Sequence, residues 1–546
     1  MKSLGGNSGD VMKRYLGSVA VVAAMSLSGG MAQAEDAPKQ SSVWTGCGEN
    51  EVSGTTKFMM GPTAARALTP KTIPSVGIER CTAALDALDA QAGWERRAAL
   101  LRSRAKFRVA AKQHREALAD LDAIAAIERP DAAYTRSFGV SLHMLRAIAY
   151  LEAGRRDDAA NEAVRAMQAR PWNLRLAEFA FNLSTLRTTI PPGEKARWDN
   201  LVRLSDAYVE KRALALARAG DWQEALADWQ YATPVPGEIG QTFITLPNVQ
   251  VTGMPGIPVN GVNAERTAQA AIAAGVAGQP DLAGQWIAQA RKNIAAPHEP
   301  SQIERNLKID IDPAGQRAAL DRWTGLIDVA VLLGKGDAES AAKQLEGMKE
   351  MPVSQITLAL IRAVIGKLPA GTHPMLRSVL ALTEEQVSLD RNERFIAGFD
   401  PAALLDGMPD HEDVMLANPY RSAVKFLRAN GFSVKLAKDG KTATVGFFGN
   451  KSHPFALGEM ALLRAAELSL AQGMPAFRVT NNDEYVQTSQ MTMYGSPMGP
   501  STVSGHSVNL TVEFVDTMTA DRPESVIQAA DVQAVLAPIY VKAEGE

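Results

Sequence analysis

The stretch from Leu142 to Pro171, LHMLRAIAYLEAGRRDDAANEAVRAMQARP, constrains the chain more than any other. It reads as two short helices joined by a tight turn. Ala147 on the first helix and Ala159 and Ala166 on the second are small where such helices must touch, Tyr150 supplies bulk, and Gly154 permits the turn. Pro171 stops the second helix, because it has no N–H to donate and its ring clashes with the turn before it. A unit of this kind buries its apolar face only against neighbours.

Further units follow the same spacing. Ala98 to Pro130 aligns when Ala105, Ala117, Leu121 and Ile124 take the small and apolar positions, with Arg108 where the aromatic would be. Ala213, Gly220, Ala225, Trp229 and Ala232 make a third copy, and Ala271, Gly278, Ala283, Ile287 and Ala290 a fourth. Asp321 to Met351 is a degenerate pair around Gly336, Ala341 and Leu345, and residues 354–390 read as one or two more helices. Ala147, Tyr150, Ala159, Ala166 and Pro171 resemble the tetratricopeptide repeat, a helix–turn–helix unit with small, aromatic, small, small and proline residues in that order.

The resemblance implies a curved α-helical solenoid over residues 76–390 and a role in binding a protein or peptide partner. In such folds the first helix of each pair lines the inner wall, which makes Arg102, Lys106, Met144 and Ile148 the groove residues. A mixed basic and apolar groove suits an acidic or amphipathic segment. The competing reading is that these residues cover neighbouring helices or face water. Arg104, Arg146 and Arg212 each precede the small residue of a first helix, as in many bacterial repeats of this kind. An arginine recurring in phase bridges helices rather than meets a substrate, and exposed pairs of that sort are worth under about 1 kcal/mol.

At the N-terminus Lys13 and Arg14 precede an apolar run from Leu16 to Leu27 and then Ala32-Gln33-Ala34. That is the anatomy of a secretory signal peptide over residues 1–34, and it points to the periplasm. The run is short of the roughly 20 apolar residues that span a bilayer. Cutting after Ala34 removes Lys2, Lys13, Arg14 and Asp10 and moves the net charge from −3 to −5, which gives nucleic acid nothing to bind. Cys47 and Cys81 then remain, an even number in an exported chain, so a disulfide is expected, with two free thiols as the alternative. It would tie an irregular arm, residues 35–75, to the first helix. Closing about 35 residues is worth at most roughly 3–4 kcal/mol by the chain-entropy argument.

Residues 233–263 interrupt the helices with prolines and glycines, and the alternation of Thr242 and Ile244 with Val249 and Val251 suggests a small hairpin. Residues 391–430 read as a connector ending in a helix from Tyr420 to Ala429. Beyond it the pattern changes to two strands around Asp439-Gly440, a helix from Glu459 to Ala471, two more strands and a closing helix from Ala529 to Leu536. Residues 431–546 are therefore a small α+β domain with helices on one face of a sheet. Phe448, Gly449, Asn450, Leu463, Arg464, Ala465, Ala466, Glu467, Leu468 and Gly473 resemble a domain of uncharacterised bacterial lipoproteins. That likeness implies an envelope location and no established activity, and no cysteine near the cut supports a lipid anchor.

Signatures of catalysis are missing from the sequence. It holds no H-E-x-x-H, no G-x-S-x-G and no P-loop, so neither catalysis nor a cofactor is expected. Asn450, Ser452 and His453 lie at a strand-to-helix turn, where capping explains them better than an anion does. Met491, Met493, Met498 and His506 could offer thioethers and an imidazole to Cu(I), although methionines alternating along a strand serve equally as apolar filling. The reading is thus an exported α-helical solenoid followed by a small α+β domain, acting as a binding or scaffolding module of the cell envelope. Metal binding or an unrecognised enzyme working through the C-terminal domain are the alternatives.

Overall fold

The computed structural model describes Cys47 and residues 73–89, 93–127, 132–136, 138–187, 190–191, 193–232, 240–244, 257–296, 305, 312–398, 420, 431–449, 454–493, 496–516 and 525–541. The expected signal peptide, most of the arm at 35–75 and nearly all of the connector lie outside them. Helices dominate, and a five-stranded antiparallel sheet stands near the C-terminus. Among the described residues no helix is long and apolar enough to cross a membrane.

The helices come in chain order. They are α1 (Pro74–Asp86), α2 (Trp94–Ala110), α3 (His114–Ile127), α4 (Ala132–Arg136), α5 (Phe138–Glu152), α6 (Arg156–Ala169), α7 (Leu174–Ser184), α8 (Glu194–Leu204), α9 (Val209–Ala219) and α10 (Trp222–Ala232). After a two-stranded insertion follow α11 (Ala264–Val276), α12 (Pro280–Ala295), α13 (Pro313–Asp321), α14 (Thr324–Gly334), α15 (Ala338–Gly347), α16 (Gln355–Lys367) and α17 (Pro374–Gly398). Pairs α2 with α3, α5 with α6, α9 with α10, α11 with α12 and α14 with α15 pack side by side.

These five pairs turn in the same way. Gly154, Gly220, Gly278 and Gly336 have φ between 76° and 92°, and Lys112 holds the equivalent place in the first pair with φ 62°. In each, the residue after the left-handed one donates its N–H to a carbonyl five residues back, as in Arg155 to Tyr150 and Gln113 to Arg108, both 2.8 Å. This closes the end of the first helix and aims the second back along it. Glycine adopts the conformation freely and lysine does not, which is why the first unit is the hardest of the five to see in sequence.

The recurring arginines do bridge helices, but not on the surface. Arg212 grips Asp228 with Nε and Nη2 at 2.7 and 2.6 Å, and Arg104 grips Asp120 at 3.1 and 2.7 Å, each from the first helix to the second of one pair. Both aspartates are buried, so the expectation of exposed, nearly neutral pairs is corrected. In the central unit Glu162 stands at the same offset, bonded by His143 at 2.7 Å and Arg165 at 2.6 Å, and Arg146 turns instead to the Leu121 carbonyl of the preceding pair. Arg218 acts between pairs: its Nη1 donates to the Thr185 carbonyl at the end of α7, at 2.7 Å. Burial, and then the charge of Arg362, pull its guanidinium down to about 10, so it is still cationic at neutral pH beside a helix C-terminus that favours a cation.

The Cys47–Cys81 disulfide is present, with Cα atoms 4.6 Å apart. Within the insertion, β1 (Gly240–Ile244) pairs antiparallel with β2 (Ile257–Gly261). The expected hairpin exists, but its second strand is 257–261 and not the stretch around Val249 and Val251, which lies outside the described residues. Sequence also missed α13, and α17 continues to Gly398 through the expected boundary at 390.

A histidine clasp joins α15 to the start of α17. His373 Nδ1 and Nε2 lie 3.1 Å from Glu346 and Glu339, whose own neighbour is Lys343. Bonds to Glu339 and then Glu346 raise the imidazole above its ordinary 6.5. A raised folded-state value stabilises fully below the unfolded pKa and fades as pH climbs through the folded one. Urea midpoints measured at about pH 5.5 and about pH 8.5 should therefore show a loss on the alkaline side that His373→Ala diminishes. An unchanged pH slope in that variant would rule the clasp out.

The C-terminal sheet has the order β3-β4-β6-β5-β7, from β3 (Gly431–Leu436), β4 (Thr442–Gly449), β5 (Ala476–Met493), β6 (Ser496–Val515) and β7 (Val526–Gln528). The hairpin at Asp439-Gly440 is as expected, with Gly440 at φ 68°. Helix α18 (Pro454–Ala471) packs on β4, β5 and β6, and α19 (Ala529–Tyr540) packs on α18, so the helices share one face. Two expectations need correcting: β7 adds a strand, and within 490–507, expected as a loop, the described residues up to Met493 and from Ser496 belong to the paired strands β5 and β6.

This sheet unit is pinned to the helices by a buried network. Arg170, just past α6, donates from Nε and Nη2 to Glu459 of α18 at 2.8 and 2.9 Å, and Tyr540 of α19 donates to the same carboxylate at 2.6 Å. Asn173, which caps α7 by accepting from the Leu176 N–H, also donates to the Phe455 carbonyl at 3.0 Å.

Candidate functional site

A cleft of about 1690 Å³ opens among the described residues. Its walls come from α7, α9 and the start of α11 on one side, and from α13, Trp323 and the segment Met348–Gln355 on the other. Glu484 of β5 also lines it.

Helix α7 sets the cleft, and sequence reading passed over it. Its LRLAEFAFNLS is apolar nearly all round, with Leu176, Ala177, Phe179, Ala180, Phe181 and Leu183 buried. Such a helix is covered on several sides. Here α6, α8 and the Asn173–Phe455 contact cover it, leaving Arg175, Glu178, Phe179 and Asn182 at the cleft. The signal available was the Asn173 cap before an apolar run, with Gly193 ahead of the next helix.

At one end the polar groups satisfy each other. Arg175 Nε donates to Glu484 at 2.5 Å, and Lys211 lies 3.5 Å from Glu178 and 4.7 Å from the centre of the Tyr208 ring. Burial, and then the carboxylate of Glu178, push the Tyr208 phenol up, so it keeps its proton and donates to Glu178. Burial, and then the charge of Arg175, hold the His506 imidazole down at about 4, so it is neutral at neutral pH. No protein-family model matches the chain, and no match is found among curated proteins. The geometry therefore carries the functional reading alone. Away from the ion pairs the walls mix apolar side chains, among them Phe179, Leu214, Trp323 and Met351, with polar and charged ones such as Gln269, Arg322 and Glu350, and Val353 is 57% exposed.

The residues expected to line a groove are elsewhere. Met144 and Ile148 are each 1% exposed and sit in the core of the paired helices. Arg102 is 6% exposed, donates to Ser141 Oγ at 2.9 Å and stacks its guanidinium 4.7 Å from the Phe138 ring centre. Only Lys106 is half-exposed. That expectation is corrected for a physical reason: α4 and α5 close over α2, so the inner positions of these units meet helices rather than a partner.

The thioether candidates fall together on the β5–β6 ribbon, but the imidazole does not lie with them. Met491 and Met498 are cross-strand partners and Met493 pairs with Ser496, but His506 is eight strand positions beyond Met498, about 26 Å at ~3.3 Å per residue. The imidazole is therefore set apart along the ribbon from the three thioethers. Among the described residues no group of three or more His, Cys, Asp or Glu side chains could hold a metal. Asn450, Ser452 and His453 lie outside the described residues.

Proposed function

We propose that the paired helices stack as a solenoid of the tetratricopeptide kind and that the chain is an envelope binding module, taking an extended or helical segment of another protein into the cleft beside α7. The observation that carries this is the cleft itself: about 1690 Å³, with apolar and polar side chains mixed along its walls and one end closed by ion pairs. Pockets for single small molecules are typically about 300–1,000 Å³, so this one suits a peptide chain better. Met348 and Met351 add flexible thioethers that adapt to varied side chains. The disulfide favours an oxidising compartment, which agrees with export to the periplasm.

A peptide library displayed on phage and selected against the mature chain tests the reading. Selected peptides should compete for one site and bind with roughly micromolar Kd by calorimetry. Val353→Asp, at an exposed position, should weaken them about tenfold or more while leaving the thermal midpoint in place. Failure to enrich any peptide, or affinities that ignore Val353→Asp, would sink the proposal.

A further inference from the structure

The hairpin β5–β6 outruns the sheet that holds it. Strand β4 pairs with β6 only from His506 to Glu513, and β7 pairs with β5 only from Ala476 to Arg478. From Gln487 to Met493 on β5, and from Ser496 to Gly505 on β6, the described strands pair only with each other. The free part of β5 is seven residues, about 23 Å of ribbon. Both outer edges of a two-stranded ribbon expose N–H and C=O groups that can take another strand.

The two edges differ in what they can accept. Strand β6 carries Pro497 and Pro500, which have no N–H to donate, and most of the irregular register falls on its side: Ser504, and the residues between Met498 and Thr502, have no partner across the ladder. Prolines and bulges are how native edges are blunted. On β5, Val486 to Met493 reads VQTSQMTM, with no proline, no glycine and no charge, and only Gln490 is skipped. No Asp, Glu, Lys or Arg occurs anywhere from Val486 to Gly505, in a chain where such residues make up 21%. The charged residues that usually keep an edge from pairing with its own kind are missing from this arm of β5, the edge of the ribbon that is otherwise competent.

We propose that this β5 edge joins two copies of the chain, β5 against β5 in antiparallel register about a two-fold axis. An uncharged strand meets an identical strand without repulsion, and antiparallel pairing lets both present the same residues to each other. Because β6 is blunted, the ribbon offers one usable edge, and pairing through that edge closes at two copies instead of growing into a fibre. The inference is independent of what the cleft binds.

Sedimentation of the mature chain, from nanomolar to about 100 μM, tests it, with salt varied. The expected result is a dimer whose dissociation constant is nearly independent of salt, since no charge lies in the contact. Replacing residues 488–504 by Asn-Gly, which keeps the Gln487–Gly505 pair and closes it with a two-residue turn, should weaken association about 100-fold or more. Ser489→Lys, which puts like charges near each other across the axis, should weaken it about tenfold. Because Cys47 and Cys81 are already joined, single cysteines placed in turn from Thr488 to Thr492 report directly: one near the axis should oxidise to a covalent dimer. A monomer throughout, a dimer indifferent to arm shortening, or no crosslink at any of these positions would each overturn the proposal. So would a monomer that takes up a partner's extended peptide along this edge.

Discussion

Glu459→Ala should lower the stability of the chain by about 3–5 kcal/mol, read as a fall in the urea midpoint. The carboxylate is fully buried, and Arg170 against it is nearly so. Burial pushes the Glu459 carboxyl up, yet the charge and hydrogen bonds of Arg170 and the Tyr540 hydroxyl outweigh it and hold the group below its ordinary 4.5. Removing it strands a guanidinium where water does not reach, and that desolvation, not the worth of the pair, sets the size of the loss. Replacing both partners together, Arg170→Met with Glu459→Leu, should recover much of the loss, because the fully buried guanidinium goes with the carboxylate and only the half-buried Arg136 is left without Glu459. Because the folded-state value is depressed, the pair stabilises above about pH 4.5 and its contribution disappears as pH falls through the lowered value. A loss below about 1 kcal/mol in Glu459→Ala would mean that Arg170 finds solvent and that the sheet unit is only loosely held.

Gly334→Ala should be nearly as damaging, by about 3 kcal/mol or more, for a reason of space alone. A Cβ at this position would lie 2.0 Å from the carbonyl oxygen of Gly275, which is backbone and cannot swing aside. Here α14 crosses α11 with glycine on both sides, and a Cβ on Gly275 would in turn meet Ala330 Cβ at 3.0 Å. The methyl must push the two pairs apart and loosen the core between them. Gly284 provides the contrast. It is within α12 with nothing near its would-be Cβ, so Gly284→Ala should stabilise by about 0.5–1 kcal/mol through helix propensity. Thermal melts of the two variants should move in opposite directions, and a shared direction would refute the contact argument.

The helical pairs were legible because their small residues and turn glycines are local signals. Ala147, Ala159, Ala166 and Gly154 lie within one unit, and so do Ala213, Ala225 and Gly220. What lay beyond reach depended on distant partners. Helix α7 keeps only a narrow polar stripe, Arg175, Glu178 and Asn182, because its helical neighbours and Phe455 of α18 enclose the rest, and a single unit gives no hint of that enclosure. Met144 and Ile148 were placed on an open inner wall by position in the repeat, but α4, too short to show periodicity, helps close that part of the array. The arm of β5 and β6 escaped for the opposite reason: its Ser, Thr, Gly and Pro content is that of a loop, and only the pairing partner makes it a strand. The cleft, built from six or more segments, had no sequence signature of its own.

The Arg170–Glu459 contact also ties together residues 289 positions apart in the chain. Pairs such as α5 with α6 need only their own few residues and can close soon after they leave the ribosome or the export channel. Arg170 cannot, since the carboxylate that answers it emerges much later. Until then the Arg170 end of α6 and the flank of α7 that meets α18 have no partner of their own, and the contact can form only after α18 has been made. Chain order thereby sets a limit on assembly, since the paired helices can close early while the contact that ties them to the sheet must wait for the last part of the chain.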